Sequence, residues 1–236
     1  MSRKRYAHEF VRFTMILCVV LLSRAQTNQN VPRLSVGNLE LRNVKAKAVN
    51  YRARAAIQLI DRGAPDLGDA GRLAVVRGSS FTDGTIEVDV TGDIAPDAAE
   101  NLRGFVGIAF RVAAEGSSFE CFYIRPKNGR SQDQPQRNHS AQYISIPGFP
   151  WQKLRTESPG KYESYVDIVP GAWTKVRIVV SGDKARVYVN GASQPTLIVN
   201  DLKQPRTSSA IALWIGPGTI AHFTNLKVAL PGDPHR

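Results

Sequence analysis

The chain has 236 residues, a formal net charge of +11, two cysteines and 42% apolar residues. That length is enough for one well-buried core and excludes a small scaffold held together by disulfides. The basic residues are spread along the chain rather than massed in runs, which points away from nucleic acid and toward nothing more specific than acidic polymers.

The N-terminal segment carries Arg3, Lys4, Arg5 and Arg12 and then runs apolar from Phe13 to Leu22. The run is too short to cross a bilayer as a helix and has the form of a secretory signal, with Ser23-Arg24-Ala25 placing small residues where a signal peptidase reads them. A retained amphipathic anchor is the alternative. Cleavage after Ala25 predicts a secreted or periplasmic chain of about 211 residues with a net charge of about +7. Cys18 leaves with the signal, so Cys121 has no intrachain partner. The expected segments are a signal peptide over 1–25, a linker over 26–39, one domain over 40–230 and a tail over 231–236. No segment of the mature chain is apolar enough to span a membrane.

Beyond Pro32, short stretches of alternating apolar and polar residues are separated by Gly, Asp, Asn or Pro, the pattern of half-buried strands. Strands are expected around 44–60, 72–77, 84–91, 106–112, 118–125, 176–180, 185–190, 196–200, 209–215 and 219–228. Val176, Ile178 and Val180 share one face of a strand, as do Ala185, Val187 and Val189, and Ser181-Gly182-Asp183 between them predicts a hairpin. No stretch has a sustained helical period. The expected fold is all-β, a two-sheet antiparallel β-sandwich of the jelly-roll kind, with a closed barrel as the alternative. From Pro126 to Tyr162 the rhythm breaks into a polar, Pro- and Gly-containing segment with little strand character, read as a long functional loop.

The run Phe119-Glu120-Cys121-Phe122-Tyr123-Ile124-Arg125-Pro126 holds the first candidates. If Phe122 and Ile124 face the core, Tyr123 and Arg125 face outward with Cys121. Arg111 on the preceding strand is expected to join them, making a patch of two guanidiniums and a phenol. Flat side chains that stack on a pyranose, beside groups that bond its hydroxyls, are the material of sugar sites, although a solvated face with incidental arginines reads the same way. The loop adds Asn138, His139, Gln142, Tyr143 and Trp151, which offer donors and acceptors in several directions.

Glycoside hydrolysis normally uses two carboxyl groups. Glu120, His139 and Glu163 are the candidate catalytic residues if the chain turns over substrate. Glu87 and Asp89 share a strand face as the acids of laminarinase-like sandwiches do, but a third acid is missing where Thr91 and Gly92 stand. No His or Cys spacing suggests zinc and no EF-hand pattern is present, so no cofactor is expected beyond a structural calcium at Asp83 or Asp201. Phosphate loops and Gly-x-Ser-x-Gly elbows are also missing.

Four segments carry a family resemblance: Phe81 to Val88, Arg103 to Arg111, Glu120 to Pro126, and Ala185 to Gly191. Over roughly 40–230 the chain resembles the concanavalin A-like lectin/glucanase superfamily, and within it the 3-keto-disaccharide hydrolase-like (LamG-like) family of exported bacterial proteins. The resemblance implies two antiparallel sheets with a concave face where glycans bind, in a group that includes both hydrolases and pure binding modules. Three readings follow. The first is an exported module that holds a glycan on the concave face and the 126–162 loop. The second is a glycoside hydrolase of the 3-keto-disaccharide type. The third is an adhesion module that docks an acidic partner. The sequence leaves the sugar and the oligomeric state open.

Overall fold

The computed structural model describes residues 33–231 except 64–67 and 69, so the expected signal peptide and its cleavage point lie outside the described residues. The described strands pair into two antiparallel sheets. Sheet I runs in the order β1 (Leu39–Arg42), β4 (Leu73–Val76), β13 (Ala210–Ile215), β6 (Val106–Val112), β7 (Phe119–Ile124), β8 (Ala141–Ile146) and β9 (Glu163–Ser164). Sheet II runs β12 (Leu197–Val199), β11 (Lys184–Val189), β10 (Thr174–Ser181), β5 (Gly84–Ile94), β14 (Thr219–Ala229), β3 (Arg54–Asp61) and β2 (Val44–Tyr51). Two short helices, α1 (Gln134–Asn138) and α2 (Trp151–Glu157), flank β8. The molecule is an all-β sandwich.

Sheet II obeys the period of two. In the β10–β11 hairpin Val176 pairs with Val189, Ile178 with Val187 and Val180 with Ala185, and all six side chains are buried. The chain reverses at Gly182, whose φ of 61° is one that glycine adopts without a Cβ clash. Ile86, Val88 and Val90 of β5 and Ala221 and Phe223 of β14 continue the same apolar face. Burying each of the larger side chains contributes roughly 1.5–3 kcal/mol, and the opposite face stays polar.

Sheet I is different, because β6, β7 and β8 are buried at every position and so are covered on both faces. The inner face presents Ile108, Phe110, Phe122 and Ile124 to sheet II, while α2 lies on the outer side of β8 and buries Leu154.

Two expectations are corrected here. The segment 126–162 is not a structureless loop: it contains α1, α2 and β8, and β8 is paired on both edges, through Tyr123↔Gln142 to β7 and Gln142↔Glu163 to β9. Its polar residues disguise it. Gln142 donates to the carbonyls of Tyr143 and Tyr162, and Ser145 accepts from the Gln204 amide, so both are buried without an unpaired polar group. The stretch 44–60 is two strands, broken where Arg52 and Ala53 take φ of 48° and 60°.

Candidate functional site

Tyr123, Arg125, His139, Gln142, Trp151 and Glu163 come together on the outer face of sheet I. β7 ends at Ile124, and Arg125 then bends out as the chain enters a short 3-10 turn over Pro126–Asn128. The residue is 3% exposed, and both terminal nitrogens of its guanidinium are engaged. Nη1 donates to the His139 carbonyl at 2.8 Å, and Nη2 donates to the Tyr123 hydroxyl at 2.8 Å and to Gln142 Oε1 at 3.2 Å. The Asn128 amide donates to the same His139 carbonyl at 3.2 Å, so the backbone of His139 is held from two sides.

The ring of His139 reaches β9, where Nε2 stands 3.2 Å from Glu163 Oε1. Arg155 of α2 grips Glu163 from the other side, with Nη2 at 2.7 Å and Nε at 3.1 Å from Oε2. Trp151 is in cation–π contact with both guanidiniums, its ring centroid 4.6 Å from Arg155 Cζ and 5.6 Å from Arg125 Cζ. Beneath them the Tyr123 ring packs on Phe105 at 5.3 Å and on Trp214 at 4.7 Å.

Burial lowers the His139 pKa below the usual imidazole value, and the nearby Arg155 and Arg125 charges lower it further, while Glu163 acts in the opposite direction. The imidazole is therefore neutral near pH 7, so its contact with Glu163 is not an ion pair there, and the carboxylate beside Nε2 favours the tautomer that keeps the proton on that nitrogen. Nδ1 makes no hydrogen bond among the described residues and keeps its lone pair. His139, Trp151 and Arg155 remain partly exposed over the enclosed Arg125 floor. With two guanidiniums to one carboxylate, the cluster is cationic. It can receive a polyhydroxylated or anionic group and can accept a proton at Nδ1.

Four expected site residues lie elsewhere. Arg111 does not pair with Arg125. Its φ of 52°, beside the slip in β6–β13 pairing, turns it to the β10–β11 hairpin, where it donates to the Gly182 carbonyl at 2.6 Å and stands 3.6 Å from Asp83. Glu120 shares the inner face with Phe122 and is wholly buried, accepting from the Tyr143 hydroxyl at 2.6 Å and from Gln204 N–H at 2.7 Å. Burial pushes its carboxyl above the usual range, with those two donors opposing, and burial together with Glu120 raises the Tyr143 phenol. Glu120 and Tyr143 thus belong to the core. Asn138 closes α1 on the exposed surface, bonded to Gln134.

Of the two carboxylates named for calcium, Asp83 is held by Arg206 at 2.6 Å, and Asp201 by Lys203 and Lys161 at 2.8 and 2.9 Å. Sequence reasoning missed Arg155, Phe105 and Trp214. Arg155 follows Trp151 by one helical turn, and that spacing is a signal for a shared face once α2 is recognised.

The family model described as a 3-keto-alpha-glucoside-1,2-lyase-like domain matches residues 43–229. Among solved structures, a protein of unknown function with a galectin-like fold from Bacillus subtilis aligns over 82% of this chain and 89% of its own, with 12% identity and a TM-score of 0.51. A carbohydrate binding module from Bacillus subtilis aligns over 83% and 98%, with 15% identity and a TM-score of 0.49. A native glycosidic hydrolase aligns over 84% and 92%, with 13% identity and a TM-score of 0.49. At these identities the likeness is one of fold. No curated protein sequence matches the chain. Among the described residues no helix is long and apolar enough to cross a membrane.

Proposed function

Because the chain belongs to the 3-keto-alpha-glucoside-1,2-lyase-like domain family, we propose that it is an exported carbohydrate-binding sandwich that takes its glycan at the mouth formed by His139, Trp151 and Arg155. The observation that carries this reading is the rigid floor under that mouth. Arg125 is fixed by three hydrogen bonds and orders His139, Gln142 and Tyr123 around it, so little side-chain entropy is lost when a ligand arrives. Trp151 supplies an aromatic surface for a pyranose, and Arg155 a donor for its oxygens. The test is retention of the protein on immobilised polysaccharides and on a 3-keto-glucoside, with Trp151→Ala beside the unaltered chain. Loss of retention on Trp151→Ala with the fold intact is the expected result, and equal retention would remove the mouth as the site. Export is checked separately, by N-terminal sequencing of the secreted protein, which is expected to begin at Gln26.

Turnover is the second reading, and the free Nδ1 of His139 favours it. In a 3-keto-glucoside the C2–H bond is acidified by the adjacent carbonyl. Nδ1 takes that proton, and the C–H electron pair forms an enolate. The pair then becomes the C1–C2 double bond as the C1–O bond breaks, and the leaving oxygen departs with the C1–O pair and takes a proton. Glu163 holds the ring and steadies its positive form. Arg155 Nη1, which makes no hydrogen bond among the described residues, is the donor at hand for the enolate oxygen. Mass spectrometry of a 3-keto-glucoside incubation checks it: an unsaturated sugar whose formation is lost in His139→Ala supports elimination, and an unchanged substrate leaves the binding reading alone.

A further inference from the structure

The opposite face of the sandwich carries a second cleft, on the solvent side of sheet II and away from His139. It has a volume of about 490 Å³ and is lined by Arg54, Asp89, Trp173, Lys175, Asn190 and Asn225. A larger groove of about 680 Å³ adjoins it, sharing Arg54 and Asn225.

The cleft is built around Asp89, which is 6% exposed at its floor. Oδ2 of Asp89 accepts from Asn225 Nδ2 at 2.7 Å and from Arg54 Nη1 at 3.3 Å. Oδ1 accepts no hydrogen bond among the described residues, and Lys175 Nζ stands 3.9 Å away, in electrostatic contact but beyond hydrogen-bond range. Oδ1 is thus the oxygen of this carboxylate that is left to face the cleft. Asn225 is brought to Asp89 by an irregularity. The pairing of β14 with β5 slips between Thr224 and Lys227, and Asn225 takes a φ of 55°. Bulges and positive φ at a non-glycine residue concentrate where a side chain must be re-aimed. One wall is Trp173, with the Arg54 guanidinium 5.3 Å from its ring centroid; the Arg54 side chain is about half exposed at 48%.

We propose that this cleft is a second carbohydrate site, one that takes a pyranoside. One hydroxyl of a vicinal diol donates to Asp89 Oδ1, its neighbour accepts from Lys175 Nζ, and an apolar face of the ring packs on Trp173. The groove beyond Arg54 gives a longer chain room to continue. The ligand class extends the carbohydrate reading above, but the residues are separate, so either site can fail alone.

The three tryptophans, Trp151, Trp173 and Trp214, give three indole N–H signals in a nitrogen–proton correlation spectrum, assigned by Trp173→Phe and Trp151→Phe. The probe is maltotriose, titrated into the labelled full-length protein. The Trp173 signal is expected to move saturably, and Lys175→Ala, at an exposed position, to weaken that response about tenfold without disturbing the rest of the spectrum. A Trp173 signal that stays fixed overturns the proposal, whether or not the Trp151 signal moves. Equal affinity in Lys175→Ala overturns it too. Movement of Trp173 without Trp151 supports the second site and counts against the first.

Discussion

The hydroxyl of Tyr143 donates to Oε2 of Glu120 across 2.6 Å, at a place where neither side chain meets solvent. The same pair receives the backbone N–H groups of Lys203 and Gln204, at 3.1 Å on the hydroxyl and 2.7 Å on Oε1. Two side chains that a sequence reading places in a sugar site therefore anchor the chain between β12 and β13 to the inner face of sheet I.

Tyr143→Phe should cost about 1.5–3 kcal/mol, because it removes a hydrogen bond to a buried acid and leaves that oxygen without a donor. Urea unfolding measures the cost. Glycan retention should be unchanged in the same variant; a loss there would return Tyr143 to the ligand site.

His222 makes the protein acid-sensitive. It is 4% exposed, contacts Thr91 Oγ1 through Nδ1 and the Gln58 amide through Nε2, and stacks on Tyr51 at 3.7 Å. Burial, with a smaller effect of Lys47, pushes its pKa down to about 4. The unfolded imidazole titrates near 6.5, so on acidification the unfolded chain binds a proton that the folded one refuses. The contribution of His222 is fully present above about pH 6.5 and is lost progressively toward about pH 4, amounting to roughly 3 kcal/mol. Glu120, with its raised pKa, titrates in the opposite sense. The measure is therefore the difference between the unaltered protein and His222→Gln in urea midpoints from neutral to acid pH. The difference should shrink as the pH falls, and parallel curves would sink the assignment.

At Gly107 sheet I has no room for a Cβ, which would run into the Phe122 carbonyl and the Tyr123 Cβ. Trp214 and Tyr123, paired across this strand, close over it. Gly107→Ala should destabilise by about 1–3 kcal/mol and weaken glycan retention together, since Tyr123 supports Arg125. Thermal unfolding and the retention assay read the two effects.

If His139 is a base, Glu163 sets the pH at which it works. The Glu163 charge raises the His139 pKa against burial and the arginines, so Glu163→Gln should move the acid limb of the turnover profile to lower pH. A rate–pH series on a 3-keto-glucoside tests it. An acid limb that does not move would mean that another group titrates.

Legibility followed solvent exposure. The β10–β11 hairpin is plain in the sequence because one face meets water, and Lys175 and Arg177 alternate with buried valines and Ile178. β8 is hidden because both of its faces are covered, and its pattern of Gln142, Tyr143, Ile144 and Ser145 reflects hydrogen bonding rather than amphipathicity. Arg111 was misplaced because strand alternation assumes an ordinary backbone, and nothing in Phe110-Arg111-Val112 announces a left-handed residue. His139, Trp151 and Glu163 could be listed from the sequence, but Arg155 and their meeting could not, since the register of β8 against β9 is what sets Glu163 beside His139.

In sheet II, β14 stands between β5 and β3, pairing Phe223 with both Val90 and Ile57. It is the last of the described strands in chain order, yet it joins the β2–β3 hairpin to the rest of its sheet. A ribosome that has delivered everything up to Pro217 has delivered two unconnected halves of that sheet, and the early hairpin must wait with its β3 edge unpaired. Chaperone contact during synthesis should therefore concentrate on residues 44–61, and release should coincide with the emergence of residues 219–229.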